Sequence, residues 1–199
     1  MLENKNVLYI VVPCYNEEES LQQTQKVLCE KLHELISSGV IAENSRILFV
    51  DDGSKDSTWN LIADLCDEKE EVQGIKLAHN RGHQNALLAG LMTAKEHADM
   101  VISMDADLQD DVNAVDEMIE KYYAGADIVY GVRNSREKDS FFKRSTAQSF
   151  YKMMKWLGVE TVYNHADYRL MSKRALEALA QYKEVNLFLC IYHFLREGL

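Results

Sequence analysis

Asp105, Asp107 and Gln109 stand at alternating positions directly after the apolar run Met100–Met104. Carboxylate and amide oxygens are hard ligands, suited to Mg²⁺ or Mn²⁺, and such a cation keeps positions open for phosphate oxygens. If the chain stays extended through Gln109, alternation puts all three side chains on one side. An isolated Asp-x-Asp also fits an ordinary acidic turn at a strand end. The weight therefore rests on what surrounds it.

Short apolar runs alternate with amphipathic segments, the pattern of repeated strand–helix units and a mainly parallel sheet. Strands are predicted over Val7–Val12, Arg46–Val50, Val72–Leu77, Met100–Met104 and Ile128–Val132. Between them, Glu17–Ser38 places Leu21, Leu28, Leu32, Leu35 and Ile36 on one helical stripe, ended by Gly39. Further helices are predicted through Leu61, Ile62 and Leu65, over Gln84–Glu96 and over Val112–Tyr123. Open parallel sheets bind ligands at the carboxyl ends of their strands. Every unusual polar cluster of this chain falls there: PCYNEEE, DDGSKDS, HNRGHQ, DADLQD and GVRNSRE.

Each cluster has its own chemistry. Pro13, Tyr15, Asn16 and Glu17 offer a rigid turn, an aromatic face and hydrogen-bonding groups, although glutamates here also suit a helix N-terminus. Gly53 is free to take positive φ, and Asp56 and Ser57 are accounted for by ordinary capping. Two adjacent carboxylates, Asp51 and Asp52, exceed what a cap needs, and either can accept hydrogen bonds from a nucleobase or ribose. Asn80, Arg81 and Gly82 open a helix where backbone N–H groups and a guanidinium can meet phosphate. His79 and His83 straddle that turn, which argues against a metal-binding pair.

Composition narrows the function class. The chain has 199 residues, 47% hydrophobic content and a single proline, enough for one core and without a linker. A net charge of −10 argues against nucleic-acid binding. Cys14, Cys29, Cys66 and Cys190 show no C-x-x-C spacing, as expected for reduced thiols of a cytoplasmic protein. Met1–Asn6 lacks an apolar signal core, and Leu187–Leu195 is too short to span a bilayer. A dinucleotide dehydrogenase is disfavoured because Pro13–Ser20 contains no glycine, and an aspartyl phosphatase because its acidic pair is expected on an early strand.

Taken in order, VVPCYNEEESL, ILFVDDGSKDST, LAHNRGHQNALLAGL, DADLQD and HADYRLMS resemble family 2 glycosyltransferases, most closely the polyprenyl-phosphate glycosyltransferase branch. The resemblance covers roughly Val7 to Leu179. It implies an α/β GT-A fold, with a mostly parallel central sheet flanked by helices, a nucleotide diphosphate sugar donor and inversion at the anomeric carbon. Pro13, Tyr15, Glu17 and Asp52 match nucleotide-binding positions, and Asn16, Asp51, Gly53, Arg81 and Ala106 are expected beside them. Asp105, Asp107 and Gln109 match the metal and diphosphate site for Mg²⁺ or Mn²⁺. Arg133 and Arg169 match residues that hold an acceptor phosphate, and Asp167 matches the acidic position of the family's Gly-Asp-Phe-Arg-Leu motif, the candidate base. Here Ala166 and Tyr168 replace the glycine and phenylalanine.

The acceptor decides whether a base is needed. A phosphate monoester is already an anionic nucleophile at neutral pH, whereas a sugar hydroxyl would need a base such as Asp167. Residues 138–157 carry Lys138, Lys143, Arg144, Lys152 and Lys155 against Asp139 alone, with Phe142, Phe150, Met153 and Leu157 on one helical face. Such a segment suits a membrane interface. The expectation is thus one catalytic domain over residues 1–199, working at the cytoplasmic face of a membrane. It would move a hexose, glucose favoured, from a UDP-sugar or GDP-sugar to a polyprenyl phosphate, and a homo-oligomer is compatible. Members of this branch continue into membrane helices, so a catalytic domain cut from something longer and a soluble variant both stay open. Transfer to a glycan hydroxyl in cell-surface polysaccharide synthesis and a non-catalytic nucleotide-sugar-binding domain are the alternatives.

Overall fold

A computed structural model of the chain describes residues 5–132 and 165–181. The strands are β1 (Leu8–Cys14), β2 (Arg46–Asp51), β3 (Val72–Lys76), β4 (Met100–Ser103), β5 (Ile128–Val132) and β6 (His165–Ser172). The helices are α1 (Leu21–Ser37), α2 (Thr58–Glu68), α3 (His83–Ala94), α4 (Ala114–Tyr123) and α5 (Lys173–Ala180). The strands form one sheet in the order β3-β2-β1-β4-β6-β5. Pairings β1–β2, β2–β3 and β1–β4 are parallel, and among the described strands only β6, wedged between β4 and β5, runs antiparallel.

Helices cover both faces of the sheet. Leu8, Ile10 and Val12 of β1 pack in one cluster with Leu28 and Leu32 of α1, Ile62 of α2 and Met118 of α4. The intervening Tyr9 and Val11 pack in a second cluster with Leu87 and Leu91 of α3 and Leu176 of α5. Alternation along a strand buried on both faces produces this, and it explains why β1 is apolar without a break. α3 lies close on the sheet because Gly90 has no side chain there: a Cβ would come within 2.4 Å of Val11 Cγ1 and 2.8 Å of Val50 Cγ2.

Two expectations are corrected, and one strand–helix pair was not anticipated. α1 begins at Leu21 rather than Glu17, because the backbone N–H groups of Glu17 and Glu18 donate to Thr58 Oγ1 and Asp56 Oδ2 of the neighbouring loop and leave Glu18–Ser20 as a turn. HADYRLMS is a strand, followed by a helix that the polar spacing of LMSKRALEAL did not announce. The chain after β4 does not stay extended to Gln109. It turns at Ala106–Asp107, and Leu108 takes a left-handed φ of 53°.

Candidate active site

The first two strand-end loops are zipped together. Asn16 holds a left-handed φ of 54°; its N–H donates to Ser54 Oγ (2.9 Å) and its Oδ1 accepts the Lys55 N–H (2.9 Å). Asparagine tolerates that backbone better than most residues. Ser57 N–H donates to Glu18 Oε2 (2.9 Å). Asn16 and Glu18 are therefore occupied in building the loop, while Tyr15, 40% exposed, and Glu17 face the cleft.

The second loop grips the third. Asp52 is 2% exposed, and its two oxygens accept the N–H groups of Arg81 (2.7 Å) and Gly82 (2.8 Å). Gly53, at φ +69°, packs flat on that loop, so that an added Cβ would fall 2.7 Å from Asn80 N and 2.8 Å from His79 C. Asp51 is fully buried; Oδ1 accepts the Ser54 N–H (3.2 Å), and Oδ2 has no hydrogen-bond partner among the described residues. Thus Asp52, expected to meet a nucleotide, has both oxygens committed to the turn that starts α3, and Arg81 contributes its backbone there.

The DAD turn is pinned from below: Thr24 of α1, itself buried, donates to the Ala106 carbonyl. Asp107 Oδ1 accepts the Gln109 N–H (3.1 Å). Asp105 and Asp107 line the main cleft, whereas Gln109 lines a second cavity with Asp110, Tyr130 and Tyr168. The turn thus separates Gln109 from the pair it was expected to join.

Asp167 sits beside the turn, on the strand paired with β4. Its Oδ2 lies 3.1 Å from His83 Nε2 and accepts from Gln84 Nε2 (2.9 Å), and its Oδ1 accepts from Arg169 Nη2 (2.6 Å). Arg169 is 3% exposed and stacks 5.9 Å from the Tyr130 ring. It acts on Asp167 rather than lining the cleft. Ser103 Oγ donates to the Asp167 carbonyl, and the Tyr168 hydroxyl to the Asp111 carbonyl (3.0 Å). Ala166 lies within extended β6, so the glycine-to-alanine exchange meets no left-handed backbone.

These groups share a cleft of about 480 Å³ bounded by Pro13, Tyr15, Glu17, Asp52, Asn80, His83, Asp105, Ala106, Asp107 and Asp167. Its electrostatics are unbalanced. Burial pushes the Asp105 carboxyl up, His83 pulls it down, and Asp110, Asp167 and Asp107 push it up again, for a net rise. Burial would also raise Asp167, but the His83 and Gln84 hydrogen bonds and the Arg169 charge outweigh it and leave the carboxyl below its ordinary value. His83 is raised, first by the Asp167 hydrogen bond, against desolvation, and further by the charges of Asp167, Asp105 and Asp52.

Carboxylates crowded until one resists ionisation are a donor set that a divalent cation relieves. Among the described residues no three His, Cys, Asp or Glu side chains close a metal shell by themselves. Asp105 and Asp107 would supply two hard donors and leave the remainder to phosphate and water. The residues present fit that group.

Pro13, Tyr15, Glu17, Asp105, Ala106, Asp107 and Asp167 therefore converge on one cleft, while Asn16, Asp51, Asp52, Gly53 and Arg81 build its walls. Arg133 and the basic segment 138–157 lie outside the described residues. Sequence reasoning missed His83 and Gln84, having weighed His83 only as a partner for His79. The signal was positional: both stand in the first turn of a helix that opens at the carboxyl edge of the sheet.

Comparison with known proteins places these observations. The model for glycosyl transferase family 2 matches residues 9–180. An uncharacterized glycosyltransferase of Bacillus subtilis (strain 168), YkoT, is 57% identical over 95% of the chain and 56% of its own length. The bactoprenol glucosyl transferase of Shigella phage SfV is 38% identical over 90% of the chain and 56% of its own. The chain thus spans about half the length of these curated relatives. Glucosyl-3-phosphoglycerate synthase from Mycobacterium tuberculosis, solved with Mn²⁺, UDP and glucosyl-3-phosphoglycerate, shares the GT-A fold at a TM-score of 0.57 and 15% identity, over 87% of this chain and 59% of that one.

Proposed function

We propose that this chain, which belongs to glycosyl transferase family 2, is the catalytic part of an inverting hexosyltransferase that moves glucose from UDP-glucose to a polyprenyl phosphate at the cytoplasmic face of a membrane. The observation that carries the reading is the cleft itself, lined together by Asp105, Asp107, Asp167, Tyr15 and Glu17. Tyr15 offers an aromatic face to a nucleobase, and Asp105 and Asp107 would hold Mg²⁺ or Mn²⁺ with the diphosphate. When bound, the cation offsets negative charge on the leaving diphosphate.

The state of Asp167 favours a phosphate acceptor. A carboxylate with three donors and a lowered pKa is a poor general base, so it is ill suited to strip a proton from a sugar hydroxyl. A phosphate monoester brings its own anionic oxygen. That oxygen attacks the anomeric carbon on the face opposite the diphosphate, the bond to the diphosphate oxygen breaks, and the nucleoside diphosphate departs. The relative named a bactoprenol glucosyl transferase supports both sugar and acceptor. Among the described residues no helix is long and apolar enough to cross a membrane; residues 138–157 are the segment we assign to the interface.

Incubation with radiolabelled UDP-glucose or GDP-mannose, Mn²⁺, and either undecaprenyl phosphate or a soluble glycan tests this. Labelled lipid from UDP-glucose, lost with chelator and in Asp107→Ala, is expected. Label on the glycan alone, or undiminished transfer by Asp107→Ala in chelator, refutes it.

A further inference from the structure

The first turn of α3 meets Asp167 of β6. His83 Nε2 and Gln84 Nε2 meet one carboxylate oxygen at 3.1 and 2.9 Å, although 84 and 83 residues separate them from Asp167 in the chain. We propose that His83 and Gln84 are positioning residues that lock the Asp167 carboxylate in one orientation toward the reacting sugar. There it stabilises the positive charge that develops at the anomeric carbon as the diphosphate departs. The inference rests on the transfer reaction proposed above.

Three observations support it. The Gln84 amide has Nε2 on Asp167 while its Oε1 is buried without a partner among the described residues. Flipping the amide would set oxygen against carboxylate oxygen, so the contact with Asp167 dictates the orientation. The turn that carries both residues cannot drift, because Asp52 holds the N–H groups of Arg81 and Gly82 and Gly53 packs on the preceding backbone. His83 also lies 3.7 Å from Asp105 Oδ1, so the same ring spaces Asp167 from the carboxylates of the DAD turn. An oriented anion is most effective where charge develops in the transition state and needs no reorganisation there. The lowered pKa of Asp167 agrees with a group that stays charged.

A double-mutant cycle separates this role from a merely structural one. Gln84→Met should lower kcat by about 10- to 100-fold, the loss of one charge-assisted hydrogen bond, with the calorimetric affinity for UDP and Mn²⁺ unchanged. Because it acts through Asp167, Gln84→Met should slow Asp167→Asn no further. His83→Gln, which keeps a neutral donor, should retain more activity than His83→Ala, and it serves if Gln84→Met does not fold. Additive losses in the cycle, or a loss of UDP affinity matching the loss of kcat, overturn the proposal. A second readout needs no turnover: in ¹⁵N-histidine-labelled protein the His83 ring N–H should be hydrogen-bonded and slow to exchange, and should lose that protection in Asp167→Asn. No protected resonance in the wild type refutes the clamp even if transfer occurs. A protected resonance lost in Asp167→Asn, in a chain that glucosylates no lipid phosphate, refutes the function and leaves the clamp standing.

Discussion

Gly53→Ala probes whether the second strand-end loop is seated on the third. Gly53 has φ +69°, and the added methyl would meet backbone, at 2.7 Å from Asn80 N, 2.8 Å from His79 C and 2.9 Å from His79 Cα. The left-handed backbone alone costs an alanine about 1–2 kcal/mol. Forcing apart two packed backbones adds about 1–3 kcal/mol. Against these stands a gain of roughly 0.4–1 kcal/mol from the stiffer unfolded chain. Gly39→Ala is the matched control: its φ is +76°, but the nearest atom is Lys5 Nζ at 3.0 Å, a flexible tail that can swing aside. Strain and unfolded-state terms are common to both, so Gly53→Ala should be less stable than Gly39→Ala by about 1–3 kcal/mol, the overpacking alone. Urea titrations followed by circular dichroism, compared at equal slope, measure the difference. Equal midpoints would mean that the third loop is not held against Gly53, and the account of how Asp52 and α3 are fixed would fail with it.

Other perturbations give distinct outcomes. Asp52→Asn replaces an acceptor pair by one acceptor and one donor facing two backbone N–H groups, and at 2% exposure it should cost about 1.5–3 kcal/mol of unfolding free energy in the same assay. Without metal, the His83–Asp167 pair makes stability pH-dependent. His83 is raised above 6.5 in the fold, so its contribution is complete below that value and fades as pH rises through the folded pKa. Asp167 is lowered below 3.8, so its contribution is complete above that value and is lost as pH falls through the folded pKa. The melting temperature of wild type minus that of His83→Ala should accordingly peak in between and shrink toward alkaline pH; a difference that grows on the alkaline side contradicts the contact.

The parallel core of the fold was legible because the interiors of β1, β2 and β4 are buried on both faces and carry the apolar runs LYIVV, ILFV and MVI. β6 was not. Its segment HADYRLMS carries Asp167 and Arg169, whose charges break the apolar run although Tyr168, Arg169, Leu170, Met171 and Ser172 are all buried. The site was legible as a set of strand ends, since position at the carboxyl edge follows from topology. Roles within it were not, because a side chain can face the ligand or the neighbouring loop, and only packing decides. Asp51, Asp52 and Asn16 turned to the loops. Gln109 followed the left-handed turn at Leu108 to the other side.

That division of roles bears on how an acidic cleft accepts an anionic donor. The Asp52 oxygens are answered by two backbone N–H groups and those of Asp167 by His83, Gln84 and Arg169. At the DAD turn, by contrast, Asp105 is pushed up by burial and by three carboxylates, with His83 opposing. Excess negative charge is thus concentrated on Asp105 and Asp107, where a diphosphate would be repelled unless a divalent cation came with it. UDP affinity measured by calorimetry should therefore be low in EDTA and rise on adding Mn²⁺ by about 5- to 150-fold, the usual span of coupling between two ligands. Asp107→Asn should erase most of that gain, while Asp52→Asn, whose charge is already spoken for by backbone, should keep it. If both variants lost the cation-dependent gain equally, the two carboxylates would share the metal role and the separation of loop-building from ligand-facing residues would be wrong.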